Sequence, residues 1–137
     1  MAEFEWPVRV YYEDTDTGGV VYYANYLRFM ERARTEWLRT LGIEQDALIH
    51  DEGILFAVKS VSLEYRRPAR FNDLLLVSVQ LAERRRASLV FDQAIQRAGD
   101  DGGPLCSGSV RIACLTVDTL APQPIPAQIL KEIPDVG

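Results

Sequence analysis

Apolar and polar positions alternate over Val8–Glu13, a stretch rich in Val and Tyr, and this predicts a strand. The composition of Asp14–Gly19, DTDTGG, predicts a turn, and Val20–Tyr23 form a short apolar piece. From Asn25 to Leu41 the period becomes helical. Tyr26, Phe29, Met30, Ala33, Trp37, Leu38 and Leu41 fall on one broad stripe, while Arg28, Glu31, Arg32, Thr35, Glu36 and Arg39 fill most of the rest. Asn25 is suited to cap the start, and Gly42 suits the left-handed position just past the end. Glu44–His50 adds a short helical turn. Beyond it the chain reads as strand: Leu55–Tyr65, Leu74–Glu83, Ser88–Arg97 and Leu105–Val117. The tail from Leu120 carries Pro122, Pro124, Pro126 and Pro134 and is expected to be irregular, with one helical turn starting at Pro126.

The order is therefore one strand, one long helix and four strands in succession, an α+β arrangement. Short connections between the later strands imply antiparallel pairing. A helix stripe holding Phe29, Met30 and Trp37 has to be buried on something large. An antiparallel sheet curling around that single helix is the simplest solution. The outer face of such a sheet still carries apolar groups, which implies an oligomer. With 137 residues the chain suits one domain, residues 1–137, with a Pro-rich tail from about 120 to 137.

Composition narrows the chemistry. The net charge is −5, from 20 acidic and 15 basic residues, which argues against nucleic acid as the main partner. Arg supplies 13 of the basic residues, leaving only Lys59 and Lys131. A single His, His50, rules out metal sites built on two imidazoles. It stands in a polar IHDEG context and reads as a solvent-facing or capping residue. Cys106 and Cys114 fall in one predicted strand, eight residues or roughly 27 Å apart, so they cannot pair. Both read as reduced core thiols of a cytoplasmic protein. No apolar run is long enough to span a membrane. Met1–Trp6 has two Glu and no basic stretch, so it is not expected to act as a secretion signal.

The chemistry concentrates between Val10 and Leu38. Asp14 and Asp16 sit in a Gly-containing turn just before the helix. Such acids often only bond the turn's own backbone. A calcium loop is excluded because Val20–Tyr23 are apolar where oxygen ligands would be needed. A helix N-terminus, however, exposes unpaired N–H groups and a positive dipole end. A carboxylate beside it would let an acyl carbonyl meet a base or nucleophile on one side and amide donors on the other. That arrangement suits hydrolysis of an activated acyl group and needs neither metal nor His. On the helix, Glu31 has Arg28 and Arg34 at three-residue spacing, and Glu36 has Arg32 and Arg39 nearby; both acids are expected in ion pairs.

The run EDTDTGGVVYYANY within Val10–Leu38 closely resembles the signature of hotdog-fold acyl-CoA thioesterases, above all the branch associated with the Tol-Pal system, with the 4-hydroxybenzoyl-CoA thioesterases close by. EYRRPARFND (Glu64–Asp73) resembles the family's second block and RRRASLVFDQ (Arg84–Gln93) its third, so the likeness covers roughly residues 6 to 120. The resemblance implies a hotdog fold, a five-stranded antiparallel sheet wrapped around one long central helix. It implies an acyl-CoA thioesterase, a hydrolase releasing CoA and a carboxylic acid without a cofactor. It places the catalytic carboxylate on Asp16 and the oxyanion donors on backbone N–H groups near Tyr23 and Ala24. It also implies dimers that join their sheets, often a homotetramer, with active sites at the dimer interface. At Tyr23 the sequence departs from the Tol-Pal pattern, which has His there, and resembles the hydroxybenzoyl branch. A tyrosine hydroxyl titrates near pH 10 and serves as a hydrogen-bond donor or pocket wall, not as a neutral-pH base.

CoA carries several phosphate charges, so a net negative enzyme must gather positive charge locally. Two clusters qualify: Arg66, Arg67 and Arg70, and the run Arg84, Arg85, Arg86. The family's third block contacts the nucleotide end of CoA, which favours Arg84, Arg85 and Arg86 together with Ser88. Acyl carrier protein is the alternative source of the acyl group. Two other functions compete: a non-catalytic acyl-CoA or acyl-carrier-protein binding module, and a hotdog dehydratase, which needs a His that this motif lacks.

Overall fold

A computed structural model describes residues 4–136; Met1–Glu3, which open the acidic N-terminal segment, and Gly137 at the end of the tail lie outside the described residues. One five-stranded antiparallel sheet is formed by β1 (Phe4–Arg9), β2 (Ile54–Tyr65), β3 (Leu74–Arg84), β4 (Ser88–Arg97) and β5 (Cys106–Thr116), in the order β1-β3-β4-β5-β2. The helix α1 (Asn25–Thr40) is enclosed by its concave face. This is the hotdog arrangement expected from the sequence.

The helix stripe explains the curl. Tyr26, Phe29, Met30, Ala33, Trp37 and Leu38 are all buried, and Trp37 packs edge-on against Phe91 of β4. Leu75, Val77, Val79 and Leu81 of β3 and Leu89, Phe91 and Ile95 of β4 close over them. Each such side chain contributes on the order of 1.5–3 kcal/mol by leaving water. Gly42 lies just past the end of α1, and its φ of +82° supplies the expected left-handed stop. Gln45–Ala47 and Leu48–Glu52 form the expected helical turn, with His50 exposed on it. The tail is irregular except for Ala127–Leu130, with Pro126 in the capping position; Ile125 and Ile133 tie it to the core.

Three expectations need correction. The first strand ends at Arg9 rather than Glu13, because Asp14 Oδ2 accepts from the Tyr11 N–H (2.9 Å) and draws Tyr12–Asp14 into a tight turn. Asn25 is the first helical residue and not the cap; its side-chain amide donates instead to the Asp14 carbonyl at 2.9 Å. Glu31 pairs with neither Arg28 nor Arg34 among the described residues; Arg34 turns inward instead, where its Nη1 donates to Gln93 Oε1 at 2.9 Å. Glu36 does pair with Arg39, as expected.

Cys106 and Cys114 are both buried and unpaired, and burial pushes the Cys106 thiol up to about 11. A thiol reagent at pH 8 should therefore leave both untouched in the native protein and label two thiols after unfolding. Rapid labelling of the native state would contradict this burial.

Candidate active site

The turn DTDTGG folds as a small hairpin. The Asp16 N–H donates to the Val20 carbonyl (2.9 Å) and the Tyr22 N–H to the Asp14 carbonyl (2.9 Å), with Thr15 facing Val21. The Gly19 N–H closes the tip by donating to the Asp16 carbonyl at 3.1 Å, and Gly19 takes the left-handed φ of +77° that this tip requires. The Asp16 side chain is exposed. Its Oδ1 accepts from the Gly18 N–H at 2.8 Å, which fixes the carboxylate over its own turn.

The hairpin runs directly into α1. The Asn25 N–H donates to the Tyr22 carbonyl (2.8 Å), while its side chain holds Asp14. Tyr23 and Ala24 lie between, and among the described residues their N–H groups meet no backbone acceptor. Asp16, Tyr23 and Ala24 thus lie on one short, braced piece of chain. The helix dipole adds partial positive charge at the same place.

The hairpin rests on the segment Pro68–Asp73. The Val21 N–H donates to the Ala69 carbonyl at 2.8 Å, and Val20 bridges Arg70. The Ala69 N–H donates to the buried Tyr26 hydroxyl at 3.0 Å. Arg97 clamps this segment from behind: Nε donates to Asp73 Oδ2, Nη1 to Asp100 Oδ2 and Nη2 to the Pro68 carbonyl, each at 3.0 Å. Arg67 shares Asp100 at 3.0 Å and reaches the Gly103 carbonyl at 2.7 Å. Asp100 is held below the usual carboxylate range, first by the Gly102 N–H and then by these two guanidinium groups.

A cavity of about 270 Å³ opens beside the start of the helix, lined by Val21, Tyr23, Tyr26, Tyr65, Arg66 and Pro68. The Tyr65 hydroxyl donates to the Tyr23 carbonyl at 3.2 Å, and its ring meets the Tyr26 ring at 5.4 Å. Burial raises the pKa of Tyr65 and of Tyr26, so both hydroxyls stay protonated at neutral pH. Tyr26, Phe29 and Met30 are buried, whereas Tyr22 and Tyr23 are exposed at the site.

The Arg84–Arg86 run lies elsewhere. β3 begins beside the Pro68–Asp73 segment and runs its full length, Leu74–Arg84, before reaching it. At about 3.3 Å per residue, that places the two groups on the order of 30 Å apart along the strand. Arg84 turns back onto the tail, with Nη1 donating to the carbonyls of Leu130 and Ile133 at 3.1 Å each. Arg85 is exposed and pairs with Glu83; Arg86 is exposed, and Ser88 opens β4 beside it. Sequence reasoning missed Tyr65, Arg97 and Arg34. Only Arg34 left a usable signal, since its place in the helical period falls inside the apolar stripe.

Residues 10–133 match the model of the thioesterase-like superfamily. The chain belongs to this family. It is 41% identical over 126 residues to the acyl-CoA thioesterase YbgC of Haemophilus influenzae, covering 92% of this chain and 90% of that protein. It is 43% identical over 129 residues to the acyl-CoA thioester hydrolase YbgC of Escherichia coli, covering 94% of each. Among solved structures it is similar to a probable thioesterase from Bartonella henselae, with a TM-score of 0.84 and 32% identity over 91% of this chain and 100% of that one. The region matched to the thioesterase-like superfamily includes the hairpin, the helix start and the Pro68–Asp73 segment.

The Tyr26 hydroxyl is the acceptor for the Ala69 N–H beneath the hairpin. Tyr26→Phe should cost about 1–3 kcal/mol by leaving that buried donor unpaired. Urea unfolding would show a lower midpoint with an unchanged slope; an unchanged midpoint would mean the bond is not made.

Proposed function

We propose that the protein is an acyl-CoA thioesterase in which Asp16 is the catalytic carboxylate and the Tyr23 and Ala24 amides receive the oxyanion. The observation that carries this reading is the placement of an exposed, tethered carboxylate and two unpaired amides on one hairpin–helix junction. The 41–43% identical relatives named as acyl-CoA thioesterases and thioester hydrolases support it. A thioester carbonyl bound over the junction directs its oxygen at the amides, which stabilise the negative charge that grows there. Asp16 either attacks the carbonyl carbon or takes a proton from an attacking water. In both cases the C–S bond breaks, CoA leaves as the thiol, and water supplies the new oxygen of the acid. The exposed Tyr23 ring lines the cavity where the acyl group enters.

The phosphate end of CoA is assigned to Arg85, Arg86 and Ser88. Arg84 holds the tail and is left as a support for that turn. One chain cannot offer its own Asp16 and its own Arg85 and Arg86 to one substrate across a strand of that length. The account therefore requires a second copy, which supplies the cations in trans. β2 is an edge strand of 12 residues, and its helix-facing Val58, Val61 and Tyr65 are exposed, so sheet joining along β2 is the pairing the surface supports. Half-buried Leu74, Leu76 and Leu115 on the outer sheet face support further pairing into a homotetramer. The two unpaired thiols support a reducing compartment, the cytoplasm.

Thiol release from short aliphatic, long aliphatic and aromatic CoA esters tests the activity directly. Asp16→Asn keeps the side chain's shape and should lower kcat at least about a hundredfold. Full activity in that variant would sink the assignment. Val61→Asp places a charge on the free edge and should give monomers in sedimentation, with activity lost; an intact, active dimer would move the interface elsewhere.

A further inference from the structure

The peptide that joins Tyr23 to Ala24 carries the Ala24 N–H at one end and the Tyr23 carbonyl at the other. Among the described residues no backbone N–H donates to that carbonyl. Its donor comes from elsewhere in the fold: the Tyr65 hydroxyl, at 3.2 Å and 42 residues away in sequence. The preceding peptide carries the Tyr23 N–H, and its carbonyl, that of Tyr22, accepts from the Asn25 N–H at 2.8 Å. Both peptides that present an unpaired amide at the junction therefore have an occupied carbonyl. In one of them a single side chain occupies it.

That side chain is held in place from several directions. Tyr65 is the last residue of β2 and pairs with Cys106 of β5. Just beyond it the Arg66 and Arg67 N–H groups both donate to the Leu105 carbonyl, at 2.8 and 3.2 Å, which fixes the strand end. The Tyr65 ring meets the Tyr26 ring at 5.4 Å and the Tyr23 ring edge-on at 6.2 Å. Tyr26 is in turn pinned through its hydroxyl by the Ala69 N–H. The phenol oxygen is thus set by packing, and only the rotation of its O–H is left to the hydrogen bond. Burial raises the pKa of Tyr65, so the donor keeps its proton at neutral pH.

We propose that Tyr65 is a positioning residue for thioester hydrolysis, whose hydroxyl polarises the Tyr23–Ala24 peptide and so strengthens the Ala24 N–H as an oxyanion donor. This rests on the thioesterase reading above. A hydrogen bond donated to a peptide oxygen draws electrons from the peptide nitrogen and makes its N–H the better donor. The coupling runs both ways. As negative charge builds on the substrate's carbonyl oxygen, the Ala24 N–H binds it more strongly and the Tyr23 carbonyl becomes the better acceptor. The Tyr65 bond, long at 3.2 Å for a hydroxyl donor, strengthens with it. An interaction that is stronger in the transition state than in the bound substrate speeds the chemical step and leaves substrate binding unchanged. Sheet joining along β2, as proposed above, would take this bond further from water and strengthen it again.

Tyr65→Phe removes the hydroxyl and keeps the ring that packs on Tyr26. A cooperative gain of about 10–30% on a donor that contributes about a hundredfold to a thousandfold predicts a kcat roughly twofold to eightfold lower, with KM unchanged. The substrate is whichever CoA ester of the panel above wild type turns over fastest. A second series places singly and doubly fluorinated tyrosines at position 65 and measures kcat at about pH 6, where each phenol keeps its proton. Fluorine makes the phenol more acidic and a stronger donor, so kcat should rise in order of acidity at constant KM. A purely structural role would follow the shape of the ring and not its acidity. An unchanged kcat in Tyr65→Phe, a loss confined to KM, or a kcat that ignores phenol acidity overturns the inference. The fluorinated variants keep the hydroxyl and decide the matter even where Tyr65→Phe does not fold. Absence of thiol release by wild type from every ester would instead overturn the thioesterase reading, and this inference with it.

Discussion

The structure depends on burying one wide apolar helix face inside a single sheet. A stripe that includes Tyr26, Phe29, Met30, Ala33, Trp37 and Leu38 covers too much of α1 for a flat contact. The sheet must curl around it, and β3 and β4 supply the centre of that curl. Two consequences follow. The outer strands β1 and β2 become edges, and β2 extends past the helix with its inner apolar side chains uncovered. The helix start is also pushed to one end of the sheet, where the connections before α1 and after β2 converge.

In the proposed reading, that convergence makes the site largely from main chain. The hairpin carries Asp16, the junction carries the Tyr23 and Ala24 amides, and the Pro68–Asp73 segment carries the hairpin. Arg97 holds both ends of the segment with two donors of one planar group, one to the Pro68 carbonyl and one to Asp73, while the third reaches Asp100. Donors fixed before substrate arrives need no reorganisation when charge develops on the carbonyl oxygen. Under the mechanism proposed above, this is the physical reason a carboxylate and a helix start suffice.

Much of this was legible in the sequence. The helix and the four later strands follow from period and turn chemistry, and all of them except β2 bury one clear face. The first strand was misplaced because Tyr11 and Tyr12 favour strand, while Asp14, through a local bond to Tyr11, draws the chain into a turn. Asn25 looked like a cap because its type is right, but its amide serves the hairpin, a contact made across eleven residues. Charge and spacing offer Arg34 to Glu31 as an ion-pair partner, although its helical position is interior. Arg84 resembled its two neighbours, and only the packed tail distinguishes it. Residue types and short spacings were readable; partners brought in by the curl of the sheet were not.

The central claim is that one active site draws its carboxylate and amides from one chain and its phosphate-binding cations from another. Mixed dimers test it most directly. Asp16→Asn protomers are combined with Arg85→Ala/Arg86→Ala protomers, and thiol release is measured at low acyl-CoA concentration. Subunit exchange builds one wild-type site in each mixed dimer, so activity should recover to about a quarter of the native value, well above either parent. Activity that stays at the average of the two parents after exchange has been confirmed would contradict the shared site.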